Sequence, residues 1–330
     1  MSKFRPTRRG VLKAVAAVTA ALAVSGGTLI ATAPAASAVE DAAGLHIVES
    51  NDGDPRMKYY RFDTPEIGWD PAVNVLLPDG YDPGRRYPVL YLFHGGGSDQ
   101  NFMAWDRMGI RQMSAGKDII IVMPDGGPAG WYSNPVSSNV GPRNWENFHI
   151  NQLVPWVDAN FPTYAEADGR AVAGFSMGGF GALKYMATHP DLFASVSSHS
   201  GPADLRHDFG AVGHWANVSS AAVELGGGTV FGVPWDEAKV SRDNPAENIE
   251  SFRGKRIFLS AGTGPFRDAA KAIPDANEVE VLPNQRAFRA RLDQAGIPHE
   301  GREHGAGHEV DPKNFTDDLN GIIDWLRKAS

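Results

Sequence analysis

Apolar residues along this chain come in short blocks of two kinds. Met57 to Phe62 and Ala72 to Leu77 alternate apolar with polar positions, the period-two pattern of strands with one wet face, and predict two early antiparallel strands. Pro88 to Phe93 and Ile119 to Met123 are instead continuous apolar runs. Runs of that length suit strands buried on both faces, as in a parallel sheet covered by helices. Arg170 to Phe175, Ala194 to Ser198, Arg256 to Ser260 and His299 to His304 extend the set of strands. Between them the period changes to that of helices. Trp145 to Asn160 carries Leu153, Val154, Trp156 and Val157 on one side, and Gly178 to His189 runs until Pro190 stops it. Arg286 to Ala295 ends at Gly296, and Phe315 to Lys328 closes the chain. Strands alternating with helices predict one α/β domain with a mostly parallel central sheet. The segment 202–248 breaks the alternation. It holds Gly226-Gly227-Gly228 and the aromatics Trp215, Phe231 and Trp235, and predicts a loop or cap inserted between two core strands.

The first 38 residues stand apart from this pattern. Lys3, Arg5, Arg8 and Arg9 precede an alanine- and valine-rich run that ends in Ala36-Ser37-Ala38, a small-x-small cleavage pattern. Thr7-Arg8-Arg9-Gly10-Val11-Leu12-Lys13 resembles a twin-arginine export motif. The run is too rich in alanine, and too interrupted by Gly26 and Gly27, for a good spanning helix. Residues 1–38 therefore read as a twin-arginine signal peptide and 39–330 as the exported domain. The expectation is a secreted protein with no stable membrane anchor after cleavage. Composition adds mainly exclusions. The chain of 330 residues has no cysteine, which removes disulfides, thiolate catalysis and zinc–thiolate sites. A net charge of −8 leaves no basic face for nucleic acid.

One motif carries chemistry. Gly174-Phe175-Ser176-Met177-Gly178 is G-x-S-x-G, with an apolar strand before it and a helix after it. A sharp strand-to-helix turn lifts a serine Oγ above the sheet at a helix N-terminus, and small neighbours let strand and helix approach. Ser176 is thus the candidate nucleophile. His94-Gly95-Gly96-Gly97, directly after the strand ending at Phe93, is a backbone-flexible loop suited to aim an N–H at a developing oxyanion. The expected donors are the N–H groups of Gly96 and Met177. His94 precedes the nucleophile and reads as structural, because in this arrangement the base follows the serine.

Of the ten histidines, His308 in Gly305-Ala-Gly-His308 suits the base, since small residues let a late loop fold back over the site. His304 is the rival, and a metal reading of His304-x-x-x-His308 is weak because glycines separate the pair. The orienting acid is expected on the loop after the strand ending near Ser260, where Asp268 is the best candidate and Asp275 and Glu280 are reserves. Trp131, Tyr132, Trp215 and Trp235 are candidate walls of a substrate pocket.

Together these motifs resemble the esterase family that includes the antigen 85 mycolyltransferases and S-formylglutathione hydrolase. The resemblance rests on Leu92-Phe-His-Gly-Gly-Gly97, Phe102-Met-Ala-Trp-Asp106, Met123-Pro-Asp-Gly-Gly127, Trp131-Tyr132, Arg143-Asn-Trp-Glu-Asn-Phe148, the serine motif with Gly179, and Gly305-Ala-Gly-His308. It implies an α/β-hydrolase fold, a serine–acid–histidine triad on Ser176, Asp268 and His308, oxyanion donors at Gly96 and Met177, and no cofactor or metal. It also implies a small-molecule, lipid or sugar ester as substrate. Gly97 stands where antigen 85 proteins carry an arginine that helps hold trehalose, which favours hydrolysis over mycolyl transfer. The readings are therefore a secreted carboxylesterase first and an acyltransferase to a sugar or glycerol hydroxyl second. A third, of another class, is a non-catalytic cell-wall binding protein on a hydrolase scaffold.

Overall fold

The computed structural model describes residues 38–223, 228–264 and 272–328. All but the last residue of the expected signal peptide lies outside them. Nine strands form one mixed sheet: β1 (His46–Asn51), β2 (Met57–Asp63), β3 (Ala72–Leu76), β4 (Val89–Phe93), β5 (Ile120–Pro124), β6 (Arg170–Phe175), β7 (Ser195–His199), β8 (Arg256–Gly262) and β9 (Glu300–His304). Their order is β1-β2-β3-β5-β4-β6-β7-β8-β9, antiparallel as far as β5 and parallel from there to β9. This is the α/β-hydrolase architecture. The helices are α1 (Ala104–Arg107), α2 (Ile110–Met113), α3 (Val154–Asn160), α4 (Met177–Thr188), α5 (His207–Val223), α6 (Glu237–Asp243), α7 (Ala272–Gln294) and α8 (Pro312–Trp325).

The continuous apolar runs are explained by the packing. In β4, Val89, Tyr91 and Phe93 enter the core on one face of the sheet, while Leu90 and Leu92 enter the core on the other. Ile120 and Val122 of β5 alternate in the same way with Ile121 and Met123. A strand buried on both faces has no polar position, hence no visible period. The first strand, β1, had no such signal: it is an edge strand that is almost wholly exposed, so nothing in its side chains marks it as paired. The inserted segment after β7 is also more regular than its sequence suggests, since it holds α5 and α6. Near its start, α5 passes through the left-handed conformation at Asp208, Phe209 and Gly210.

Ahead of α3 the chain winds as a π-helix over Asn147–Leu153, which turns His149 into the core beneath the site. Its Nε2–H donates to Asp125 O (2.7 Å) and its Nδ1 accepts from the Tyr185 hydroxyl (2.9 Å), so the ring is held neutral. Burial, the largest cause, lowers its pKa to about 3. The unfolded ring titrates near 6.5, so folding is favoured by the neutral form above that pH, and the advantage is lost as pH falls towards 3. His149 should therefore cost about 1.4 kcal/mol of stability per pH unit between roughly 6.5 and 3. Urea melts at several pH values should show His149→Gln with a shallower loss of stability across that window than the parent.

Candidate active site

Ser176 sits at the turn between β6 and α4 with φ +56°, a left-handed conformation that a side chain adopts at a cost of about 1–3 kcal/mol. Two features hold it there. The Ser176 N–H donates to His199 O at the end of β7 (2.8 Å), and the turn is compressed against β4. A Cβ on Gly178 would lie 2.5 Å from the carbonyl oxygens of Phe93 and His94, so only glycine permits this approach. The N–H of Met177 is the first of α4 and has no acceptor within the helix.

The base is His308. Its Nε2 accepts from Ser176 Oγ–H at 2.8 Å, and its ring lies 5.0 Å from that of Phe175. It stands on the loop after β9, and that loop packs so tightly on the end of β8 that a Cβ on Gly262 would lie 2.3 Å from Gly307 O. Gly264 N–H donates to Ala306 O (2.9 Å) and Thr263 N–H to His304 O (2.8 Å), zipping the two segments together. The Gly262-x-Gly264 pattern thus serves the approach of the histidine loop. His304 remains at the end of β9, away from Ser176.

The carboxylate that the described residues bring to His308 was not among the candidates. Asp268 lies outside the described residues. The carboxylate on His308 is that of Glu278, near the start of α7, whose Oε2 accepts from His308 Nδ1–H at 2.7 Å. Glu278 is only 4% exposed, and its Oε1 accepts from Gly262 N–H (2.5 Å) and Ser200 Oγ–H (2.8 Å). With Glu278 ionised, the imidazole is held as the tautomer whose Nε2 is free to accept from the serine. Of the reserves, Glu280 faces His207 at 3.5 Å rather than His308, and the side chain of Asp275 lies outside the described residues.

The glycine loop after β4 completes the arrangement. Gly96 is exposed to the cavity and lies against Met177, with its Cβ direction 3.5 Å from Met177 Sδ. Gly97 N–H is tied to Pro128 O (2.8 Å). His94 is structural, as expected: Nδ1–H donates to Gly95 O (2.7 Å), and Nε2 accepts from Gly126 N–H (2.8 Å). A cavity of about 490 Å³ opens over Ser176 and His308. Trp131 and Trp215 line it and meet edge to face with centroids 5.3 Å apart, and the Trp131 indole N–H donates to Ser219 Oγ (2.9 Å). The other two aromatic candidates lie elsewhere. Tyr132 is fully buried against Phe93, its hydroxyl donating to His94 O (2.9 Å), and Trp235 packs over Gly210, Gly213 and His214. Tyr132 packs against Phe93, His149 and Tyr185, and Trp235 against α5, so neither ring reaches the cavity.

Residues 64–326 match the family model described as "Putative esterase". The chain belongs to this esterase family. It is 65% identical over 292 residues to Esterase Rv1288 of Mycobacterium tuberculosis, covering 88% of this chain and 64% of that protein. The chain thus spans 64% of the length of that curated relative. It is 28% identical over 219 residues to the diacylglycerol acyltransferase/mycolyltransferase Ag85A of Mycobacterium leprae, covering 63% of each chain. In structure it resembles an S-formylglutathione hydrolase from Agrobacterium tumefaciens, with TM-score 0.65 and 16% identity over 86% of this chain and all of the other. Mycobacterium tuberculosis MPT51 is similar at TM-score 0.60 and 20% identity, covering 85% of this chain and all of the other. These likenesses in structure agree with the mixed sheet and its topology.

Glu278 and Ser200 carry no signature in sequence. The esterase family pattern marks the nucleophile and the histidine because both sit in glycine-rich turns, whereas Glu278 sits in an ordinary helical stretch. The one available signal was its position two residues before the reserve Glu280.

Proposed function

We propose that this protein is a serine carboxylesterase working through an acyl-Ser176 intermediate. The observation that carries this reading is the chain of hydrogen bonds from Ser176 Oγ through His308 to Glu278, at 2.8 and 2.7 Å, opening onto a cavity. His308 Nε2 takes the Ser176 proton as Oγ attacks the ester carbonyl carbon. The new oxyanion lies between the N–H groups of Gly96 and Met177, each worth roughly 3 kcal/mol in such a site. The tetrahedral intermediate collapses, the leaving alkoxide takes the proton from His308, and the acyl group stays on Ser176. Water, deprotonated by His308, then attacks the acyl carbon and regenerates the serine. Glu278 holds the tautomer and stabilises the imidazolium at each transfer.

A second reading replaces water by a sugar or glycerol hydroxyl, and it is favoured by the acyltransferase relative. Export through the N-terminal leader belongs to the same proposal, and it rests on the twin-arginine pattern and the Ala36-Ser37-Ala38 site. The test is to mix purified protein with a short-chain p-nitrophenyl ester, quench it and digest it. An acylated peptide containing Ser176 is expected, and acylation at any other residue would exclude the mechanism. Adding glycerol or trehalose during turnover separates the readings. Free acid as the only acyl product supports the esterase, and acylated acceptor in excess of free acid supports the transferase.

A further inference from the structure

We propose that Ser200 is a positioning residue that sets the charge and orientation of Glu278, and through it the basicity of His308. This rests on the triad reading above and names a fourth participant. Ser200 is fully buried at the end of β7, and its Oγ–H donates to Glu278 Oε1 at 2.8 Å. Together with Gly262 N–H it occupies that oxygen, leaving Oε2 to His308. The backbone at Ser200 is left-handed, with φ +48°. Glycine would adopt this conformation without strain. The chain instead carries a strained serine, and what serine adds over glycine here is the hydroxyl bonded to the acid.

The placement links both ends of the triad through one dipeptide. His199 O accepts the Ser176 N–H (2.8 Å), and the next residue, Ser200, holds the acid while its own N–H donates to Ser260 O (2.6 Å). The end of β7 therefore fixes the nucleophile's backbone and the acid's side chain in one frame. The helix bearing Glu278 is pinned to the same segment. Gln285 Nε2–H donates to Gly201 O (2.8 Å), and Asn284 Oδ1 accepts from the N–H groups of Ala203 (2.7 Å) and Asp204 (2.9 Å).

Among the described residues, the groups that meet the pair come from several elements. β8 contributes Gly262 N–H, the β6–α4 turn contributes Ser176, and α7 contributes Glu278. The neighbouring Glu280 faces His207 (3.5 Å), and His199 faces Asp318 (3.0 Å). Removing the Ser200 hydroxyl leaves the carboxylate with one donor fewer. Its charge is then less dispersed and stabilises the His308 imidazolium more strongly.

The test follows kcat/KM for a p-nitrophenyl ester against pH, together with the His308 Cε1–H NMR titration, in Ser200→Ala and Ser200→Gly. Both variants should move the acid limb, and the NMR midpoint, to higher pH. Ser200→Gly keeps the backbone conformation and guards against misfolding. A uniform loss of activity without a shift, no change, or a shift in only one variant would overturn the proposal. In a Glu278→Gln background the Ser200 substitutions should no longer move the His308 midpoint, and a shift of the same size there would also overturn it. Failure of the esterase reading is seen separately, as parent activity that survives Ser176→Ala.

Discussion

Ser176→Ala should lower kcat for a short-chain p-nitrophenyl ester by roughly 10⁴–10⁶-fold, with little change in KM. The size follows from the geometry. Among the described residues, the Ser176 hydroxyl is the group that donates to His308 Nε2, and alanine leaves neither a nucleophile nor a proton for the base. The cavity, the exposed Gly96 backbone and the Trp131–Trp215 wall are untouched by the change, so ester binding should persist. Residual catalysis from the oxyanion donors alone would set the floor. Removing Oγ also leaves the left-handed backbone, which is held by His199 O and by Gly178, so the fold should remain. Stopped assays on freshly purified protein, with thermal melts alongside, would check both halves. Undiminished turnover in a folded Ser176→Ala protein would remove the serine mechanism.

Glu278→Gln should lower kcat by about 10⁴-fold, because the amide no longer holds the His308 tautomer with Nε2 free to accept. An amide NH₂ facing Nδ1 would favour the reverse tautomer, with the proton on the nitrogen that must receive one. The matched control is Asp268→Asn, which should stay within a few-fold of the parent. If Asp268 supplied the acid, the two losses would be exchanged. The same pair of variants therefore decides which carboxylate works with His308. Glu278→Asp should recover part of the activity, since the charge is restored on a shorter arm, and steady-state kinetics of the three variants are sufficient to rank them.

The legible parts of this protein share a property: each leaves its mark within a few consecutive residues. Strands buried on both faces must be apolar at every position, so β4 and β5 stand out as runs. The nucleophile turn brings Gly178 within contact of the β4 carbonyls, so glycine is obligatory there, and the motif around Ser176 is visible without any structure. His308 shows because its loop must lie against Gly262 and so is built from small residues. Where this local pressure is absent, reading the chain falls short. β1 is an exposed edge with no buried side, and the α5 and α6 region reads as irregular because α5 is interrupted by left-handed residues near its start and α6 is short. Tyr132 and Trp235 resemble Trp131 and Trp215 as large aromatics, yet only packing against distant strands and helices decides which rings reach the cavity.

The acid is the sharpest case. All that His308 requires is a carboxylate oxygen about 2.7 Å from Nδ1, and any segment whose backbone passes nearby can supply it. Family pattern and loop position pointed to the stretch just after β8, but α7 returns to the sheet further along and places Glu278 there, held by Gly262 and Ser200. The sequence alone determined the fold class and pointed to Ser176, His308 and the glycine loop, because steric crowding and burial constrain adjacent residues. The tertiary structure decided which carboxylate meets His308, its serine partner and the cavity walls, because those depend on which distant segments meet, and a side chain's reach leaves no trace in its neighbours.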